Sequence, residues 1–264
     1  MLPRYLKSDV AFPAKTATEI QEIGQTNGSI LVIPVGAMEQ HGKHLPVATD
    51  TLLVGDLALH GAEAVANLPL LVLPPVWTGN SAQHLSFGGT VTVSFDTLRD
   101  LLREVAATAT ANEFDAVLLV NGHVGNRTAL DAAVDAIGQE NPEVETLGIT
   151  YFDLAAPFID GLRESETGGM GHAGEFETSL MLHRFPDLVD GPREDTQLAE
   201  PYDLGGSDLF EHGPLSVHRT LDAYTDTGVL GHASAGTSER GEEIFTQLCD
   251  ALAALYTEIH EANR

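Results

Sequence analysis

Histidines and carboxylates crowd three short stretches of this chain, each lying beyond a run of residues with the pattern of a strand. GAMEQHGKHLPVATD holds Glu39, His41, His44 and Asp50; NGHVGN holds His123; GHAGEFETS, beyond a glycine-rich loop, holds His172, Glu175 and Glu177. Imidazole and carboxylate together suit zinc, manganese or iron better than calcium or magnesium. Glu39 and His41 stand two apart, so in an extended loop they point the same way. No cysteine lies nearby, which favours an open catalytic site over a closed structural one.

Each of these residues also has an ordinary reading. A lone loop histidine such as His44 is commonly a surface or hydrogen-bonded residue. An aspartate ahead of a helix, as Asp50 is, commonly caps it. Glu177, early in a helical pattern, reads as a structural carboxylate. The metal reading gains on these because several such groups follow strand ends that one fold would bring together.

The elements that must position them alternate. SILVIPVG (Ser29–Gly36) predicts a buried strand, Thr51 to Ala66 a helix, and LPLLVLPPV (Leu68–Val76) a strand cut short by Pro74 and Pro75. Ser94 caps a helix with Phe95, Leu98, Leu102 and Val105 on one face. FDAVLLV (Phe114–Val120) is a third strand, and Asn126 caps the helix after it. That helix turns Leu130, Ala133, Val134 and Ile137 inward and stops at Gly138. VETLGITYF (Val144–Phe152) is a fourth strand; Leu188 to Leu230 reads as long loops with at most a short hairpin. A last helix from Ser238 to Ala262 lines up Ile244, Leu248, Leu252, Leu255 and Ile259. Such alternation of helices with continuous apolar strands predicts an α/β fold, its mostly parallel sheet covered on both faces, in one domain over 1–264. Ligands in open sheets of this kind sit beyond the carboxyl ends of the strands.

Composition narrows the partners. Asp and Glu number 39 against 13 Lys and Arg, a net charge of −26, and the acids are spread along all 264 residues. Such a surface repels nucleic-acid phosphates and anionic lipid, which excludes both. It resembles the surfaces of proteins from salt-loving organisms, where ionic strength screens self-repulsion. The one cysteine, Cys249, has no internal partner and falls in the last helix, where core packing is its expected role. The start, MLPRYLKSDVAFP, lacks the apolar run of a signal peptide, and no stretch approaches the roughly 18 apolar residues that span a bilayer. A soluble cytoplasmic protein is the expectation.

PVGAMEQHGKHLPVATD resembles the PxGSxEQHGPHLPxxTD signature of the creatininase family of metal-dependent amidohydrolases. HLSFGGTVT (His84–Thr92) is similar to that family's EHxxFPGTIS, NGHVGN to its NGHGGN, HAGEFETSLML to its HAGxxETSLML, and GTSERGEE to a weaker ATxEKG element. The resemblance implies a three-layer α/β/α fold with two divalent ions (Zn, Mn or Fe) per subunit. It further implies Glu39 and His123 on one ion, His41 on the other, and Asp50 bridging them. In creatinine-hydrolysing members a further carboxylate comes two residues after the NGH histidine, where this chain has Gly125. Glu175 is the expected replacement. His172 is the expected proton carrier, with a ligand-orienting role as the alternative, and Gln40 and His44 are expected to support the ligands.

Activated by the ions, water would attack the carbonyl of a small cyclic or linear amide, breaking a C–N bond other than a peptide bond. Creatinine itself is disfavoured: its hydrolysers enclose the ring with tryptophans ahead of the HxG histidine, whereas ESETGGMGH has no aromatic residue and the one tryptophan is Trp77. Family members that deformylate a formylamino-pyrimidine ribotide, or trim a peptide in redox-cofactor maturation, remain open. So does a non-catalytic metal-binding module, while a dinucleotide-binding protein is excluded by the absence of GxGxxG after the first strand. The resemblance implies a homo-oligomer, dimer or hexamer, acting on a small-molecule amide, and the acidic surface points to a haloarchaeal member.

Overall fold

The computed structural model describes residues 2–197, 202–211 and 213–264. Strand β1 (Ile30–Val35) is buried along its whole length because it lies inside the sheet, with β2 (Leu70–Val72) on one side and β3 (Ala116–Asn121) on the other. β4 (Glu145–Thr150) adds to β3, and all four strands are parallel in the order β2-β1-β3-β4. Ile30 pairs with both Leu70 and Ala116, and Ala116 with Glu145.

Side chains alternate across a strand, so a strand apolar at every position needs cover on both faces. Ile30, Val32, Leu118 and Val120 enter one core, beneath helices α3 (Thr49–Ala64) and α8 (Ser238–Ala262). Leu31, Ile33, Val35, Val117 and Leu119 enter a second, beneath α4 (Phe95–Ala111) and α5 (Arg127–Glu140). This is the layered α/β arrangement expected from the alternation.

Short helices α1 (Leu2–Tyr5), α2 (Ala17–Gly24) and α6 (Tyr151–Ala155) fill the flanks, and α7 (Glu175–Arg184) packs on α8. Ser94 caps α4 as expected, accepting from Thr97 N–H at 3.3 Å. Three boundaries differ from the sequence reading. β2 ends at Val72, ahead of Pro74 and Pro75, and pairing resumes only as a bridge between Val76 and Val35. β4 stops at Thr150, where α6 begins. Gly138 does not stop α5, which runs on to Glu140, because it does not take the left-handed conformation that ends a helix.

Between Leu188 and Leu230 the chain is mostly loop, as expected; residues 198–201 and 212 of that segment lie outside the described residues. The short hairpin takes another form, with β5 (Asp195–Thr196) pairing antiparallel with β6 (Gly231–His232) just past the segment's end. Cys249 is partly buried against the α3–α8 core, and burial pushes its thiol up to about 12. Among the described residues no helix is long and apolar enough to cross a membrane.

Candidate metal centre

β1 has β2 on one side and β3 on the other, so the loops after β1 and β3 open next to each other at the carboxyl edge of the sheet. Residues 36–48 form a tightly tied loop: Glu39 N–H donates to Val47 O at 2.9 Å, and bridges join His41 to Lys43 and Leu45. That loop runs into α3 and sets Asp50 in its first turn, where the helix dipole favours a carboxylate. Asp50 is not the cap; Ala48 holds that position without a side-chain bond.

After β3, Gly122 lets the chain lie against α3, since a Cβ there would come 2.7 Å from Val54 Cβ. Asn121 Oδ1 accepts from His123 N–H at 3.1 Å. Asn126 stands at the start of α5 but makes no cap bond. It ties loops together instead: its Nδ2 donates to Gly36 O at 3.0 Å and its Oδ1 accepts from Asn80 N–H at 2.8 Å.

These ties bring Glu39, His41, Asp50 and His123 into one buried cluster. Asp50 stands between two imidazoles, its Oδ1 3.0 Å from His41 Nε2 and its Oδ2 3.4 Å from His123 Nδ1. Glu39 Oε2 lies 3.2 Å from His123 Nε2. Its Oε1 faces two more rings, His84 Nε2 at 3.4 Å and His172 Nδ1 at 3.5 Å. Glu177 Oε1 completes the set, 3.7 Å from His41 Nε2. Ligand atoms within 4.8 Å of one another form three overlapping groups among the described residues: Glu39–His41–Asp50, His41–His172–Glu177 and Glu39–His84–His172.

Glu175 does not join them, and the expectation that it fills the gap left by Gly125 is corrected here. Its carboxylate accepts from the backbone N–H groups of Glu164 and Ser165, both at 2.8 Å, and from Ser165 Oγ at 2.5 Å. Arg240 Nε lies 3.1 Å away on its other side. Every acceptor direction is thus engaged with structural donors. Glu177 takes the place at the cluster that was expected of Glu175. Ala173 N–H donates to Glu177 Oε2 at 2.6 Å, leaving Oε1 for the cluster. Ala173 itself lies in the left-handed region, φ 54°, uncommon for a residue with a side chain and found here next to the reactive groups.

The cluster's polar atoms fit divalent cations. Both oxygens of Glu39, Asp50 Oδ2 and His41 Nε2 are buried without a hydrogen-bond partner, an arrangement that costs several kcal/mol, roughly 1–3 per group, unless an ion satisfies it. Burial, with Asp50 adjacent, pushes the Glu39 carboxyl well above its ordinary range. Burial would lower His41, but Asp50 and Glu177 outweigh it and raise the imidazole. Burial lowers His123 and, helped by His41 and His84, lowers His172 further. A mixed imidazole–carboxylate set of this kind suits first-row divalent metals.

His44 stays outside the three groups, its Nε2 2.9 Å from Thr178 Oγ1, which in turn bonds Ala173 O. Burial lowers it to about 4. A cavity of about 190 Å³ opens onto the cluster, lined by His84, His123, His172 and Glu177 with Val124, Phe152 and Leu209 as apolar wall. Trp77 is half-exposed and does not line it. Gly125 does, and packing explains the glycine: a Cβ would fall 2.4 Å from His123 Nε2 and 2.6 Å from Asn80 O. His84, like Glu177, was not assigned to the site by sequence reasoning. It comes from a 3₁₀ turn, Ala82–Phe87, which has no hydrophobic period to mark it; its only signal was its place in a family-like motif.

Comparison with known proteins places this geometry. A family model for creatininase, described as creatinine amidohydrolase, matches residues 14–256. The mycofactocin precursor peptide peptidase of Mycolicibacterium smegmatis is 32% identical over 248 residues, covering 92% of this chain and 91% of the relative. The creatinine amidohydrolase of Pseudomonas putida is 29% identical over 242 residues, 85% of this chain and 87% of that one. A crystal structure of creatinine amidohydrolase superposes with a TM-score of 0.80 at 26% identity, covering 94% of this chain and 97% of that chain. The chain belongs to the creatininase family of amide-bond hydrolases.

Proposed function

We propose that this amidohydrolase works with two divalent ions, one held by Glu39, Asp50 and His123 and the other by His41, Asp50 and Glu177. The observation that carries the reading is the Glu39 carboxylate, fully buried with neither oxygen hydrogen-bonded, amid the imidazoles of His84, His123 and His172. When bound, divalent ions acidify water and polarise a carbonyl, which is the chemistry amide hydrolysis needs. Asp50, shared between His41 and His123, fixes the spacing of the two half-sites. His172 accepts a proton from the attacking water at Nδ1 and returns it to the leaving nitrogen as the C–N bond breaks. Its Nε2, 2.8 Å from Gln40 O, is tied to the backbone, which holds the ring in place.

The substrate is a small linear amide or short peptide. Among the described residues lining the cavity only Phe152 is an aromatic hydrocarbon, and the loop ahead of His172 has none, so no pair of described aromatic hydrocarbons encloses a flat ring on two sides. The resemblance to a peptide peptidase supports the same choice. Metal-loaded protein assayed in high salt on short peptides, N-formyl compounds and creatinine tests this reading. Peptide or formamide cleavage is expected to exceed creatinine turnover; preferred turnover of creatinine would overturn the linear-amide assignment.

A further inference from the structure

The contacts around the Gln40 side chain fix, by elimination, where the protons sit on two histidines of the site. Gly42 N–H donates to Gln40 Oε1 at 3.0 Å, which sets the orientation of the carboxamide and leaves its two donors on Nε2. One of them goes to Gly228 O at 3.0 Å. The other faces His84 Nδ1 and His172 Nε2, each 3.1 Å away. His172 Nε2 is also 2.8 Å from Gln40 O, a carbonyl that can only accept. That ring nitrogen therefore carries a proton and has no lone pair for Gln40. The second donor of Gln40 goes to His84 Nδ1.

A neutral imidazole has one N–H, so the proton of His84 sits on Nε2. Because Nδ1 accepts from Gln40, the ring has no second proton and is neutral. Its Nε2–H makes no hydrogen bond to a described residue; it borders the 190 Å³ cavity and lies 3.4 Å from Glu39 Oε1. His172 is the same tautomer turned the other way, presenting a bare Nδ1 3.5 Å from the same oxygen. One ring therefore offers the cavity a donor and the other an acceptor. An Nε2 that carries a proton cannot ligate, so His84 is not an extra metal ligand despite its place beside Glu39.

We propose that His84 is a catalytic residue whose Nε2–H donates to the substrate's amide oxygen as negative charge builds on it, and that Gln40 is the positioning residue that locks this tautomer. The proposal rests on the hydrolase reading above. A neutral, pre-oriented donor at a developing oxyanion is worth roughly 100- to 1,000-fold in rate where it has been removed from other enzymes.

Nitrogen-15 NMR of histidine-labelled full chain, metal-free and zinc-loaded, separates protonated from bare ring nitrogens, with H84Q and H172Q supplying the assignments. The expected spectrum has Nε2–H and bare Nδ1 on His84. In Gln40→Glu, where an acceptor replaces the donor, His84 is expected to move its proton to Nδ1, while His172, bonded to a backbone carbonyl, keeps its own on Nε2. A wild-type His84 protonated on Nδ1, or a His84 unmoved in a folded Gln40→Glu, overturns the tautomer lock. If that variant does not fold, the wild-type spectrum still decides. In hydrolysis, His84→Ala is expected to lose about 100-fold in kcat at unchanged metal content, with partial recovery in His84→Gln, which keeps an N–H. Wild-type kcat in His84→Ala overturns the donor role. Zinc-loaded wild type that cleaves no amide overturns the hydrolase reading and the donor role with it, while the spectra still decide the tautomer.

Discussion

Glu177 Oε1 stands 3.7 Å from His41 Nε2, although the nearer-seeming carboxylate on the same helix, Glu175, is turned to the backbone of Glu164 and Ser165. Two glutamates two residues apart in α7 thus have separate work, one at the cluster and one in the scaffold. Glu177→Gln is expected to lose one of two bound ions with little change in stability. Glu175→Ala is expected to keep both ions but lose about 3–5 kcal/mol, because Arg240 and two backbone donors are left without their buried partner. Metal analysis beside urea denaturation checks both, and the reverse pattern would return Glu175 to the metal site.

Asn126 joins the loops after β1, β2 and β3 through Gly36 O, Asn80 N–H and Asn121 Oδ1. Asn126→Ala strands these buried groups and is expected to cost roughly 1–3 kcal/mol. Because Asn121 Oδ1 also receives His123 N–H, metal affinity should weaken with it. Unchanged affinity in the destabilised variant would show that the loops hold the ligands without Asn126.

His60 lies between Arg4 and Arg184, and burial, followed by these two charges, lowers it to about 4. Its unfolded value is near 6.5. The fold therefore favours the neutral ring, and stability present in full above pH 6.5 is lost as pH falls toward about 4. His60→Gln keeps an acceptor for the arginines and cannot charge. Its unfolding free energy is expected to fall less steeply than the wild type's across that window, measured by denaturant titration at fixed salt. Equal slopes would remove His60 from the acid response.

Much of this was legible in the residues, for physical reasons. β1 is apolar at every position, and β3 at every position before Asn121, because both faces are covered, so their carboxyl ends, and with them Glu39, His41 and His123, could be located. Asp50 follows because α3 starts immediately after the loop. The choice between Glu175 and Glu177 was not legible. It rests on which backbone donors and side chains surround each carboxylate, Glu164, Ser165 and Arg240 at Glu175 against Ala173 and His41 at Glu177, and no periodicity reports that. His84 was hidden similarly, on a 3₁₀ turn whose position depends on Thr92 and Ser81 across the loop.

A net charge of −26 makes self-repulsion a large opposing influence at low salt. The screening length falls from about 10 Å at 0.1 M to about 3 Å at 1 M salt. The melting temperature is expected to rise steadily over that range, by calorimetry; a flat or falling Tm would mean that the acidic surface is not adapted to salt.

Elemental analysis of the full chain, before and after exhaustive chelation, with peptide and formamide hydrolysis followed in parallel, tests the two-ion site most directly. The expected result is two tightly bound divalent ions per chain, with hydrolysis lost as they are removed and regained when they return. A chain that hydrolyses amides with no bound ion, or that binds none when ions are supplied in excess, would contradict it.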